Sequence, residues 1–159
     1  MELLKKVTAA AHTLGAIIIG LMFISIVAQV IVRLLGGSMI WVEELSGYGA
    51  VWSTYLGIAY VLRQGRHVRV DLVTRQMSPR AQEIMRLVGD IACVIFSIIL
   101  AWKAIHLVGV SLQVQRLTPL LGLHVYWLQI VLPVGFILFG LEAVADSALA
   151  ARTLKAIRE

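Results

Sequence analysis

Two adjacent carboxylates, Glu43 and Glu44, stand just ahead of an uncharged run from Leu45 to Leu62, and a basic run follows it: Arg63, Arg66, His67 and Arg69, closed by Asp71. Paired acids can bind a cation, dock a partner, or sit on the first turn of a helix, where the positive end of the dipole favours them. Arginines around a glycine can hold phosphate, but Gly65 alone is not the glycine-rich cradle that such a site uses. Positive-inside anchoring accounts for the charge of that run, though not for its order or for the acid that ends it. Histidines from facing helices can grip haem, and the sequence has four. Of these, His12 and His67 fall toward one membrane face, and His106 and His124 toward the other, near water. The single cysteine, Cys93, supplies neither a disulfide framework nor a thiol cluster for zinc. Nucleophile, base and orienting acid do not stand together anywhere, so the chain reads as a non-enzyme with no cofactor and no metal site.

What positions these groups is lipid. The composition is 60% hydrophobic, and the mean hydropathy of +0.90 lies far above that of a soluble domain. A net charge of +5 would suggest nucleic acid in a soluble protein. Here the basic residues cap apolar runs, which assigns them to topology and lipid headgroups and excludes nucleic acid as a partner. A helix needs about 20 apolar residues to cross the hydrocarbon. Thr13–Val32, Leu45–Leu62 and Leu117–Leu141 are free of charge, and Leu87–Leu112 carries Asp90 and Lys103 near opposite ends, where each can reach an interface. The expected fold is therefore all-α: a single domain over residues 1–159 with four transmembrane helices, at about 11–35, 43–63, 79–113 and 119–146. Lys5, Lys6, the arginines between Arg63 and Arg86, Arg152, Lys155 and Arg158 flank one face, against Arg33, Lys103 and Arg116 on the other. That excess predicts cytoplasmic termini, with the amino-terminal run kept as an uncleaved first helix.

Ser78-Pro79 and Thr118-Pro119 both read as an N-cap followed by a first helical residue. The first predicts a third helix longer than the bilayer is thick, hence tilted or protruding. In the fourth helix, Pro133 removes an amide and frees the carbonyl of Gln129, which predicts a kink. Ser46, Ala50, Thr54 and Gly57 form a stripe of small residues along the second helix, a face that lets another helix approach closely. Two charge pairings are also expected. Arg33 or Lys103 should meet Glu43 or Glu44 at the outer face, and Arg63, Arg66 or Arg69 should neutralise Asp90, Glu142 or Asp146 at the inner one.

Three stretches carry a family resemblance. They are Trp41-Val-Glu43-Glu44-Leu-Ser running into Val51-Trp52 and Tyr55-Leu-Gly57; Leu62-Arg63-Gln-Gly65-Arg66-His67-Val-Arg69-Val-Asp71-Leu; and Thr118-Pro119-Leu before Trp127 and Leu132-Pro133-Val-Gly135-Phe136. Together they resemble the small, DctQ-like membrane subunit of tripartite ATP-independent periplasmic (TRAP) transporters. His124 departs from that pattern, standing where proline is common.

The resemblance implies a bacterial inner-membrane scaffold that braces a large multi-spanning transport subunit. It also implies a periplasmic binding protein that delivers an organic acid, with uptake driven by an ion gradient. It makes Glu43 and Glu44 candidates for organising the outer surface near the binding protein. It makes Arg63, Arg66, His67, Arg69 and Asp71 a structural motif at the inner end. The competing reading from the residues is a membrane anchor of a redox enzyme, with haem as its test. A stand-alone exporter would want a carboxylate at mid-membrane, and the first helix has none.

Overall fold

The computed structural model describes residues 2–64 and 79–156, and among them every regular element is a helix. Helix α1 spans Glu2–Leu34, α2 Trp41–Gln64, α3 Pro79–Val114, α4 Val125–Gln129 and α5 Val131–Ala156. The first helix starts well before the apolar run does. Its opening turns are polar but good helix formers, and Lys5 Nζ lies 2.9 Å from Glu2 Oε1 one turn away. At 36 residues, α3 is about 54 Å long against a hydrocarbon core of about 30 Å, so it overhangs or tilts.

Three helical stretches are long and apolar enough to cross a membrane: α1, Leu87–Val114 within α3, and Val125–Ala151 through α4 and α5. Helix α2 falls short on composition rather than length. Its serines, glycines, tyrosines and tryptophans lower its hydropathy, and several of them form its contacts with α1 and α5.

The long helices pack chiefly as an open row. Extensive contacts join α1 to α2, α2 to α5, and α5 to α3, while α4 rests mainly on α3. The spatial order is thus α1, α2, α5, α3, with the last long helix in the interior. Close approach in these seams depends on missing side chains. A Cβ built on Gly15 would lie 3.1 Å from the Ser53 carbonyl oxygen, and one on Gly135 would lie 2.6 Å from that of Tyr55. Tyr55 then sets its ring edge-on to Phe136, with centroids 5.2 Å apart.

Burial is inverted relative to a soluble protein. Among the described residues the buried apolar side chains are small or medium (Val42, Leu56, Ala59, Ala104, Val131, Ala143 and Ala150), while Phe23 and Trp102 are each 69% exposed. Water would penalise such a surface; lipid does not.

The fourth apolar segment differs from expectation at its start. Thr118-Pro119 opens a tight turn, and the helix begins six residues later than expected, at Val125. The Thr118 amide donates to the Leu123 carbonyl at 2.8 Å, and the Leu123 amide donates to Thr118 Oγ1 at 3.1 Å. Gly122, at φ +63°, takes the left-handed conformation that the reversal needs. The helix then breaks at Ile130, three residues before Pro133. The amide missing from Pro133 leaves the Gln129 carbonyl without its helical donor, and the Val134 amide reaches the Ile130 carbonyl only at 3.5 Å.

Candidate functional site

At the end of the molecule where α2 begins, its acids bind neutral donors. Glu44 Oε2 accepts the backbone amides of Leu120 and Leu121, at 3.0 and 2.9 Å, and so ties the 117–124 turn to the first turn of α2. Both bonds are charge-assisted, the stronger class, and the negative charge also faces the positive end of its own helix. Glu43 Oε1 accepts from Gln29 Nε2 of α1 at 3.2 Å. The two neighbouring acids therefore fasten α2 to different elements.

The expected pairing with Arg33 or Lys103 is not found: among the described residues neither cation makes an ion pair with Glu43 or Glu44. Lys103 is held away by the row itself, because α5 lies between α3 and α2. Its ammonium instead stands 5.7 Å from the Trp102 ring centroid, within cation–π range. Arg33 is exposed at the end of α1, separated from α2 by the Gly36-Gly37 turn.

Farther in, Trp52 Nε1 donates to the Leu128 carbonyl at 3.0 Å, pinning α4 to α2 just before the helix break. Of the small-residue stripe, Gly57 is buried, with His12 Nδ1 the nearest atom to a Cβ built there, and Ser46 is half-buried. Ala50 and Thr54 are exposed. The closest contacts of α2 with α1 lie round the helix from that stripe, at Gly49 against Met22 and at Ser53 against Gly15.

The opposite end holds a polar group inside the seams. Glu142 and Asp146, one turn apart on α5, are 3% and 1% exposed. Glu142 Oε1 accepts from Thr8 Oγ1 of α1 at 2.9 Å, and Thr8 is itself fully buried. Nearby, His12 stacks on Tyr60 with centroids 4.2 Å apart, and Tyr60 Oη accepts from Gln64 Nε2 at 2.7 Å. The sequence offered a signal for this group, two acids at i and i+4 within an apolar helix, but not its depth. The backbone of Arg63 belongs to α2; its side chain, and Arg66, His67, Arg69 and Asp71 entirely, lie outside the described residues. The expected neutralisation of Asp90, Glu142 or Asp146 by those arginines lies outside them too.

His106 is exposed on α3, while His124 precedes α4 and stacks on Tyr126 with centroids 5.3 Å apart. Among the described residues no three His, Cys, Asp or Glu side chains gather as metal ligands would. The polar groups of the two ends join helix to helix and helix to turn, which is the work of a framework.

Comparison with known proteins gives the chain a family. Residues 22–153 match the family described as tripartite ATP-independent periplasmic transporters, DctQ component. The ectoine TRAP transporter small permease protein TeaB of Halomonas elongata is 26% identical over 141 residues, covering 88% of this chain and 72% of the relative. The isethionate TRAP transporter permease protein DctMQ of Oleidesulfovibrio alaskensis is 26% identical over 109 residues. That alignment covers 69% of this chain but only 17% of the much longer relative. No solved structure matches the chain. With most of its length matched and an all-helical, lipid-compatible fold, the chain belongs to the DctQ family of TRAP transporter components.

Proposed function

We propose that the protein is a scaffold for a larger transport subunit, laying its row of helices against that subunit in the bacterial inner membrane. The observation that carries this reading is the row itself. The long helices are gripped chiefly by their neighbours in the row, with the Thr8–Glu142 hydrogen bond reaching past α2, and large apolar side chains stand uncovered. A chain that moved solute alone would need an enclosed path, whereas a brace needs broad sides. In this reading α2 is a fourth crossing despite its lower hydropathy, because its ends are marked by Glu43 and Glu44 and by the basic run. Both termini then face the cytoplasm.

The name of the isethionate relative couples the M and Q components in one protein, which supports lasting contact between the two. Ala50 and Thr54, exposed on α2, offer a close-approach surface for a helix of the large subunit, while Ser46, Gly57 and Pro133 shape the helices behind it. Glu43 and Glu44 set the outer surface that a periplasmic binding protein would meet, and Arg63, Arg66, His67, Arg69 and Asp71 form the inner structural motif. The complex would take up an organic acid at the expense of an ion gradient; isethionate and ectoine appear in the names of relatives. The family match runs against the redox-anchor reading.

Co-expression with the large subunit tests the proposal. The two should purify together, and Ala50→Leu with Thr54→Leu should weaken the association while the small subunit still inserts. Uptake by the small subunit alone in vesicles would overturn it. A cysteine introduced at residue 3, with Cys93 replaced by Ala, should react with impermeant thiol reagents only from the cytoplasmic side.

A further inference from the structure

On the outer half of the molecule α1 and α2 part around a groove of about 260 Å³. Its mainly apolar walls include Ile18, Met22 and Ser25 of α1 and Leu45, Ser46, Tyr48 and Trp52 of α2, with Leu128 closing one side. The polar atoms of two wall residues are engaged within the protein. The Ser25 hydroxyl donates to the Leu21 carbonyl at 2.8 Å, and the Trp52 indole donates to Leu128. The space exceeds by far the roughly 30 Å³ share of one water, and apolar cavities of about 150 Å³ stay dry and accept hydrocarbon. Left empty, such a groove would forfeit dispersion contacts along its length.

What stands above the groove is of opposite character. On α1 the residues Ile18, Met22, Ser25, Gln29 and Arg33 recur at spacings of four, three, four and four, so they share one face. That face climbs from the apolar wall to a hydrogen-bonded amide and then to a cation. Gln29 donates to Glu43 Oε1, leaving Glu43 Oε2 with no donor among the described residues. The exposed Arg33 guanidinium likewise has no partner among them. An apolar slot thus ends, toward the interface, in one unengaged cation and one half-engaged anion.

We propose that this is a binding site for a single phospholipid with a zwitterionic, primary-ammonium headgroup, such as phosphatidylethanolamine. One acyl chain lies along the groove, Arg33 holds the phosphate, and Glu43 holds the ammonium. Charge complementarity selects this occupant: a headgroup with phosphate and no cation would set its negative charge beside Glu43 unbalanced. The proposal requires only that α1 and α2 lie in the bilayer, and it stands independently of the transport reading.

Fluorescence of Trp52 tests it. With Trp41, Trp102 and Trp127 each changed to Phe, the full chain in detergent would be titrated with phosphatidylethanolamine brominated on its acyl chains. Saturable quenching of Trp52 at one lipid per chain is expected, and Ser25→Phe, which fills the groove, should remove the saturable part. Arg33→Gln, at an exposed residue, and Glu43→Gln, which keeps a side-chain oxygen for Gln29, should each weaken binding about tenfold, the effect of one charge-assisted hydrogen bond. Unsaturable quenching that Ser25→Phe leaves unchanged would mean contact with bulk lipid only and would overturn the site. Equal binding of brominated phosphatidylglycerol would overturn the headgroup assignment. Loss of the large subunit on Ser25→Phe, with no change in lipid binding, would assign the groove to a protein side chain and overturn the proposal while leaving the scaffold reading intact.

Discussion

Glu44 holds the 117–124 turn through two backbone amides, and so it controls that turn more than it controls α2. Glu44→Gln removes the charge and leaves an oxygen that suits one amide better than two. Faster hydrogen exchange at Leu120 and Leu121 is expected, with a stability loss of about 1.5–3 kcal/mol for bonds to a charged acceptor. A change spread evenly over α2 would instead indicate a dipole effect alone. At the other end, Thr8→Val strips a donor from the buried Glu142 carboxylate. About 1–3 kcal/mol of stability should be lost in thermal melts in detergent, and Thr8→Ser should restore most of it. The sequence made Glu43 and Glu44 legible as helix-opening acids because their position relative to the apolar run is local information. Their partners were not legible. Gln29 is uncharged, and the amides of Leu120 and Leu121 belong to every residue type, so neither stands out by composition.

Among the elements, the α4–α5 junction is the one whose form depends on a single missing N–H. Pro133→Ala returns a donor to the Gln129 carbonyl, which should allow one continuous helix through Ile130. Slower amide exchange across residues 130–134 would show it, and unchanged exchange would mean that the Trp52–Leu128 tie holds the break by itself. Gly135→Val tests the neighbouring seam. The added Cβ would meet the Tyr55 backbone, which cannot rotate aside, so a melting loss equivalent to about 1–3 kcal/mol or more is expected. Helix existence was legible from charge-free length, and Pro133 announced an interruption close to where it occurs. The start of the last helical segment was not legible, because Thr-Pro opens turns as readily as helices. Glu44, distant in sequence, sits on the turn that formed.

At the scale of the whole molecule, the open row means that stability is incomplete without a companion. Purified alone in detergent, the chain should melt at a lower temperature than in complex with the large subunit, and its apolar faces should drive self-association as detergent is diluted. Equal melting with and without the partner would show that the row closes on itself. That the helices form a row and not a ring was beyond the sequence, since four apolar runs fit either arrangement. The glycines that set the seams, Gly15 and Gly135, look like any others until a neighbour's backbone is seen beside them.

The spatial order also governs assembly in time. Of the four long helices described, the one made latest occupies an inner slot, between α2 and α3, so those two have no common wall until it arrives. A nascent chain halted before residue 131 would hold α1 and α2 as one pair and α3 as a stray. Synthesis must therefore keep a place vacant, and the final helix locks the assembly as a keystone does an arch.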